Sequence, residues 1–271
     1  MSSSARPLRR TLVLHIPHSS HFIPPDARRA ILLDDADLQS ELRRMTDAYT
    51  DELFPVTSVE AGRVVFPVSR LVCDVERFSS DDDEPMAAHG MGVVYTRTSL
   101  GELLRSDPTP LERQHILDRW YWPHHLKLER LVNEVIARAG QCIIIDCHSF
   151  PSIALPYEMD QSKERPNICI GADPFHTPSF LSDALIAAVK ELNFSVAVNA
   201  PFAGALVPIA YYRKDRRVLS VMIEINRRVY MNEQSGLKNP HFAQVRDNMG
   251  KLIEAVAYVS APRPNQLPSA Q

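Results

Sequence analysis

Two apolar runs in this 271-residue chain finish in histidine. TLVL leads into HIPHSS, which carries His15 and His18 on either side of Ile16 and Pro17, and CIIIDCHSF carries Asp146 and His148. Histidine and carboxylate groups at strand ends are the usual ligands of a catalytic zinc, which takes three protein ligands and leaves a position for water. A lone imidazole has a simpler explanation as a hydrogen-bonded core or surface residue. Two of them at two strand ends point instead to one site built from both. His15 falls inside the first run and His21 lies beyond the turn, so His18 is the preferred ligand. Alternation along an extended chain puts Asp146 and His148 on one side and Cys147 on the other. Either of the first two could meet a metal, or Asp146 could orient an imidazole from behind. A serine-hydrolase reading of His148 and Ser149 finds little support, because there is no GxSxG turn and neighbours in a strand face opposite ways.

Two more stretches carry reactive groups. DVER pairs Asp74 with Arg77. This is either a surface ion pair worth under about 1 kcal/mol or a guanidinium placed to grip an anion or polarise a carbonyl. The SSDDDEP that follows reads as a solvated acidic loop. Late in the chain, Glu224 stands among Met222, Ile223 and Ile225, where burying an unpaired carboxylate is costly. Either it faces solvent from an edge strand, or it is held as a base with a raised pKa.

The elements that must position these groups follow from periodicity. Val- and Ile-rich runs predict strands over 11–16, 64–75 (interrupted at Pro67), 141–147, 167–171, 195–198 and 217–225. Helical patterns cover 35–54, 110–139, 178–192 and 240–258, the last three opening near a proline. The alternation, with strands hydrophobic on both faces, predicts an α/β fold with a mostly parallel, mixed sheet flanked by helices. Ligands of such sheets bind beyond the carboxyl ends of the strands. His18, Asp74, Arg77, Asp146 and His148 all fall there. Residues 11–260 are expected to form one α/β domain, with a flexible N-terminus over 1–10 and a disordered tail over 261–271.

Composition narrows the chemistry. A net charge of −3 and a pI near 6.4 give no basic field for nucleic acid. No apolar run approaches the roughly 20 residues that span a membrane, and no signal peptide is visible, so a cytoplasmic location is expected. Neither GxGxxG nor GxxxxGK[ST] occurs, which disfavours the common nucleotide enzymes. Cys73, Cys142, Cys147 and Cys169 form no CxxC pair and read as buried free thiols. The aromatic and basic RWYWPHHLKLER offers an interface, a lid or a contact through His125, although helix packing accounts for most of it. Nothing in the sequence sets an oligomeric state.

Together these stretches resemble the N-formylglutamate amidohydrolase family, the N-formylglutamate deformylases and their relatives. The likeness lies in HIPHSS, MTDAYTDELF, SRLVCDVERF with the later DDDEP, RWYWPHHLKL, IIIDCHSF, FAGALVPIAYY and VMIEINRRVYMNE, in the family's order over about 15–233. The resemblance implies a phosphorylase/hydrolase-like α/β fold related to zinc carboxypeptidases, and metal-dependent hydrolysis of an N-formyl amide. It implies one divalent ion, zinc first, held by His18, His148 and a third ligand, Asp47, with Asp74 as the alternative. Periodicity alone puts Asp47 opposite the apolar stripe Leu38, Leu42, Met45 and Tyr49, toward solvent, so that ligand rests on the resemblance. Glu224 would be the proton carrier, with Arg77, Arg213 and Arg227 holding a small anionic N-acyl amino acid. Arg70 and Arg97 are further sources of positive charge. The chain departs from the family in having only Gly204 where a glycine pair is expected and in its arginine-rich INRRVYMNE, both of which bear on substrate choice. The alternatives are a metal hydrolase for another N-acyl amino acid or small amide, and a non-catalytic anion-binding protein on the same fold.

Overall fold

A computed structural model describes residues 12–259; the expectations for 1–10 and 261–271 lie outside them. Six strands form one sheet: β1 (Leu12–Ile16), β2 (Glu60–Val65), β3 (Cys142–Phe150), β4 (Ile168–Gly171), β5 (Val196–Val198) and β6 (Val218–Asn226). Their order is β2-β1-β3-β6-β4-β5, and every pairing is parallel except β4 with β6. The helices are α1 (Pro25–Ala30), α2 (Asp35–Met45), α3 (Thr50–Leu53), α4 (Pro110–Ile116), α5 (Trp122–Ala139), α6 (Ser179–Glu191) and α7 (Phe242–Tyr258). The mostly parallel, mixed sheet expected from the sequence is therefore present. Among the described residues no helix is long and apolar enough to cross a membrane.

Side-chain alternation on the central strands sorts the two faces. Leu12, Leu14, Ile16, Ile143, Ile145, Cys147, Val221, Ile223 and Ile225 pack with Leu181 and Leu185 of α6 and with Met249, Leu252 and Ile253 of α7. On the opposite face Val13, Cys142, Ile144 and Val218 meet Leu128, Val132 and Val135 of α5. That second face changes character along its length. Beyond Val13 comes His15, and beyond Ile144 come Asp146 and His148. In the register of β3 and β6, His148 stands beside Glu224. A hydrophobic floor thus gives way to titratable groups at the carboxyl ends.

Two elements differ from expectation. The run over 64–75 becomes a strand only to Val65, and β2 begins earlier, at Glu60. As the edge strand it tolerates polar residues that weaken its apolar signal, while the residues after it turn away to form a long irregular excursion. The helix expected over 35–54 ends at Met45. Thr46 is extended, the Asp47 amide donates to the His18 carbonyl at 3.0 Å, and Tyr49 takes φ 66° before α3 begins. A tertiary hydrogen bond there replaces the helical one. The helix over 110–139 runs through, but Pro123 removes a donor from its interior. A π turn, Leu117–Tyr121, absorbs the disturbance, with the Trp122 amide bonded to Leu117 O.

One glycine sets the cavity wall. A Cβ on Gly171, at the end of β4, would collide with the Gly204 carbonyl oxygen and with Met222. Gly204 itself has φ 88°, a left-handed conformation that suits glycine. Gly171→Ala should displace this loop and cost about 1–3 kcal/mol, read as a lowered midpoint in urea unfolding.

Candidate active site

At the carboxyl ends of β1, β3 and β6 lies a cavity of 420 Å³ whose lining includes His18, Asp47, Glu76, Arg77, His148 and Glu224. His18 leaves β1 at the HIPHSS turn and is 1% exposed. Its Nε2 bonds Asp74 Oδ1 at 2.9 Å, while its Nδ1 is buried with no hydrogen-bond partner. His148 Nδ1 bonds Asp47 Oδ2 at 3.0 Å, and its Nε2 lies 3.2 Å from Glu76 Oε1. Glu76 Oε2 is 3.7 Å from the unpartnered His18 Nδ1. His18, Glu76 and His148 thus offer donor atoms that all lie within 4.8 Å of one another.

The carboxylates behind these rings are already engaged. Asp74 Oδ2 accepts from Arg70 Nη2 at 2.6 Å and from the Tyr95 hydroxyl at 2.5 Å, and its Oδ1 also accepts from the Glu76 amide at 3.1 Å. Asp47 Oδ1 accepts from Arg227 Nη2 at 3.1 Å. Arg227 also donates to Arg44 O at 2.6 Å, closing the carbonyl end of α2. Both Asp47 and Asp74 therefore hold ring nitrogens in place, the arrangement that fixes tautomers around a metal.

A second group, His15, Glu76 and Asp146, shares Glu76. Its imidazole is less available, since His15 Nδ1 bonds Asp146 Oδ1 at 2.7 Å and its Nε2 lies 2.8 Å from His124 Nε2. Asp146 Oδ2 also accepts from the Leu206 amide at 3.0 Å. This ties the 202–209 wall to the sheet.

Charge explains the protonation tendencies. Burial opposes ionisation of His18, but Asp74 and Asp47 overcome it and raise its pKa. Burial acts against His148 too, and Glu76 and Asp146 raise it well above the ordinary imidazole value. For Asp47 burial is outweighed by its bond to His148 and by the nearby His18 ring, whose Nδ1 is 3.7 Å from Asp47 Oδ2, and these hold its carboxyl low. Glu224 is the exception. Burial pushes it up to about 8 against the pull of His148 and Arg227, and its Oε2 has no hydrogen-bond partner.

The sequence profile of the N-formylglutamate amidohydrolase family matches residues 10–231. The chain belongs to this family. As a member it is an amidohydrolase acting on a linear amide. The crystal structure of N-formylglutamate amidohydrolase from Ralstonia eutropha JMP134 is similar, with TM-score 0.77 at 24% identity over 93% of this chain and 96% of that one. The gene product Atu2144 of Agrobacterium tumefaciens is also similar, with TM-score 0.63 at 21% identity over 92% of each chain. These two likenesses concern the fold. No curated protein matches the chain.

In this amidohydrolase the expected His18, Asp47, Arg77, His148, Glu224 and Arg227 share one cavity lining. Asp74 is fully buried just behind it. The periodicity argument for Asp47 is corrected: the residue is 2% exposed, because the helix ends before it. Asp74 is corrected in position, lying in the excursion after β2 and not at the end of a strand. Arg213 is not among the lining residues. It is exposed, sits over the Tyr212 ring and lies in a stretch whose backbone donates to His176. Arg97 is exposed as well. Arg227 reaches the lining but spends its donors on Asp47 and α2. The acidic loop is not wholly solvated: Glu84 is buried, accepting from the Phe78 and Met86 amides. The anticipated buried free thiols are all present.

Glu76 is the residue that sequence reasoning missed. It stands within DVER, between Asp74 and Arg77. The available signal was the second carboxylate two positions after an Asp, where an Asp side chain commonly turns back onto the backbone. That turn aims Glu76 away from Asp74 and into the cavity. Arg227→Met should leave Asp47 buried without its guanidinium and cost about 3–5 kcal/mol, measured by urea denaturation of metal-free protein.

Proposed function

We propose that the chain hydrolyses an N-formyl amino acid, N-formyl-L-glutamate in the simplest case, with a divalent ion held by His18, Glu76 and His148. The observation that carries this reading is the buried His18 Nδ1, left without a hydrogen bond while Glu76 Oε2 and Asp47 Oδ2 each lie 3.7 Å away, within the group that His18 forms with Glu76 and His148. Two imidazoles and a carboxylate are a donor set suited to catalytic zinc. The surroundings favour a cation as well. Asp47, Asp74, Glu76, Asp146 and Glu224 converge here, whereas Arg44, Arg70, Arg77 and Arg227 are the nearby guanidinium groups, of which Arg44, Arg70 and Arg227 are paired with carboxylates. This assignment replaces Asp47 and Asp74 with Glu76 as third ligand, because Arg227 pairs with Asp47 and Arg70 with Asp74, whereas among the described residues Glu76 pairs with imidazoles and with no guanidinium.

A zinc ion bound by these residues supplies a Lewis acid for the amide oxygen and brings the pKa of a water toward neutrality. Glu224 stands beside His148 on the neighbouring strand and takes the proton of the attacking water. The water oxygen bonds to the formyl carbon, the C–N bond breaks, and Glu224 passes its proton to the departing amine. Formate and the free amino acid result. Burial raises the Glu224 pKa, which favours return of the proton to the amine, while the charge of a bound divalent ion would favour the carboxylate that first accepts it.

Arg77 is the guanidinium best placed for the substrate. Its nearest carboxylate oxygens, on Asp74 and Glu84, are 3.6 and 3.8 Å away, and its Nε has no hydrogen-bond partner. Arg44 and Arg70 line the same cavity, though Arg44 is paired with Glu41 and Arg70 with Asp74. An N-acyl glutamate brings two carboxylates to such a wall. A cytoplasmic setting fits this small-molecule role.

Metal content by plasma mass spectrometry tests the ligand set. The parent protein should carry close to one zinc per chain after equilibration with zinc and desalting, and His148→Ala should carry almost none; equal content in both would remove His148 from the site. Glu224→Gln should keep the zinc and lose about 10²–10⁴-fold in kcat, followed as formate released from N-formyl-L-glutamate. A panel of N-formyl, N-acetyl and N-succinyl amino acids then defines the acyl group, and faster cleavage of a larger acyl chain would favour the broader N-acyl hydrolase.

A further inference from the structure

Glu76 lies in an irregular segment, with no strand or helix to fix its direction. What holds it comes from behind. The Tyr121 hydroxyl donates to Arg77 O at 3.0 Å, and His125 Nε2 bonds Val75 O at 2.8 Å. The two carbonyls on either side of Glu76 are thus held by two side chains of one helical stretch. A carbonyl only accepts, so His125 carries its proton on Nε2. The two rings lie against each other, with centroids 4.2 Å apart.

The helix delivers this pair at an unusual place. Tyr121 is the last residue of the π turn and His125 follows one turn into α5. Residues four apart share a helix face, so both point at the same segment. The amide of Glu76 is held from the other side by Asp74 Oδ1. With one amide and two carbonyls fixed, the Glu76 side chain has a defined origin from which to reach His18 and His148. A second cavity, of 430 Å³, borders this clamp and is lined by Tyr121, His125, Glu76 and Arg77 among others. Without the clamp, the segment has room to move there.

We propose that Tyr121 and His125 are positioning residues for Glu76, holding its backbone so that its carboxylate completes the metal group with His18 and His148. This rests on the ligand set proposed above. Neither residue touches the metal group in this role. They act through the main chain of 75–77.

The test is zinc affinity of metal-free, full-length protein, measured by competition with a chromogenic chelator, alongside thermal unfolding of the same samples without metal. Tyr121→Phe and His125→Phe should each weaken zinc binding about 10–100-fold, the range for partners that orient a ligand. His125→Gln retains an N–H donor and should restore most of the affinity. Tyr211→Phe is the control, since it removes a hydroxyl bonded to Asn133 elsewhere on α5 and should leave zinc affinity unchanged. Parental affinity in both Tyr121→Phe and His125→Phe would overturn the clamp while leaving the ligand set standing. Equal weakening in Tyr211→Phe would also overturn it, showing a general effect of loosening α5. Absence of zinc binding by the parent protein itself would instead overturn the ligand set, and the clamp with it.

Discussion

A carboxylate moved from water into a protein interior loses several kcal/mol of hydration unless charged or hydrogen-bonding partners replace the water. The carboxyl ends of the sheet gather Asp47, Asp74, Asp146 and Glu224, all buried, around the partly exposed Glu76. Much of the surrounding structure answers that demand. Arg70 and Tyr95 close on Asp74, Arg227 closes on Asp47, and His15 with the Leu206 amide closes on Asp146. Glu224 has no comparable partner, and burial accordingly raises its pKa.

The same demand shapes the backbone. Where α2 stops, the Asp47 amide bonds the His18 carbonyl and the Asp47 carboxylate meets His148, while Arg227 satisfies both that carboxylate and the helix carbonyls left exposed by the stop. The excursion after β2 is long for a loop, and long loops in compact folds commonly carry function. Here it delivers Asp74, Glu76 and Arg77 to one wall. The rigid sheet contributes Asp146, His148 and Glu224, while the irregular segments contribute Asp47, Asp74 and Glu76. That division places the proposed proton carrier, Glu224, on a strand and leaves the proposed substrate wall on irregular segments.

Parts of this site were legible from local pattern. His18 at the exit of the first strand and His148 two residues past Asp146 follow from strand ends and period-two alternation. Glu224 stood out as a carboxylate in an apolar run. Its edge-strand, solvent-facing reading falls away only in the assembled sheet, where β6 lies between β3 and β4 and the buried Glu224 stands beside His148. Asp47 shows the opposite case. Helical periodicity gives the wrong side because the helix it assumes is broken by a bond to His18, a residue far away in sequence. Arg213 is suitable by charge, yet it lies exposed over the ring of Tyr212, which lines the cavity, without joining the lining itself.

The sequence by itself determined the sheet class, the apolar faces of its central strands and the gathering of histidines and carboxylates at their carboxyl ends. These depend on the spacing of residue types within single elements, which steric and hydrophobic preferences settle locally. Tertiary structure alone decided which carboxylates lie against both imidazoles (Asp47 and Glu76) and which of these a guanidinium engages. Asp47, Asp74 and Glu76 have the same chemistry and were equally available as ligands. They differ in their partners: Arg227, Arg70 and Tyr95 occupy the aspartate oxygens, while Glu76 is left facing His18 and His148. Those partners come from segments distant in sequence, so no local pattern can distinguish the three.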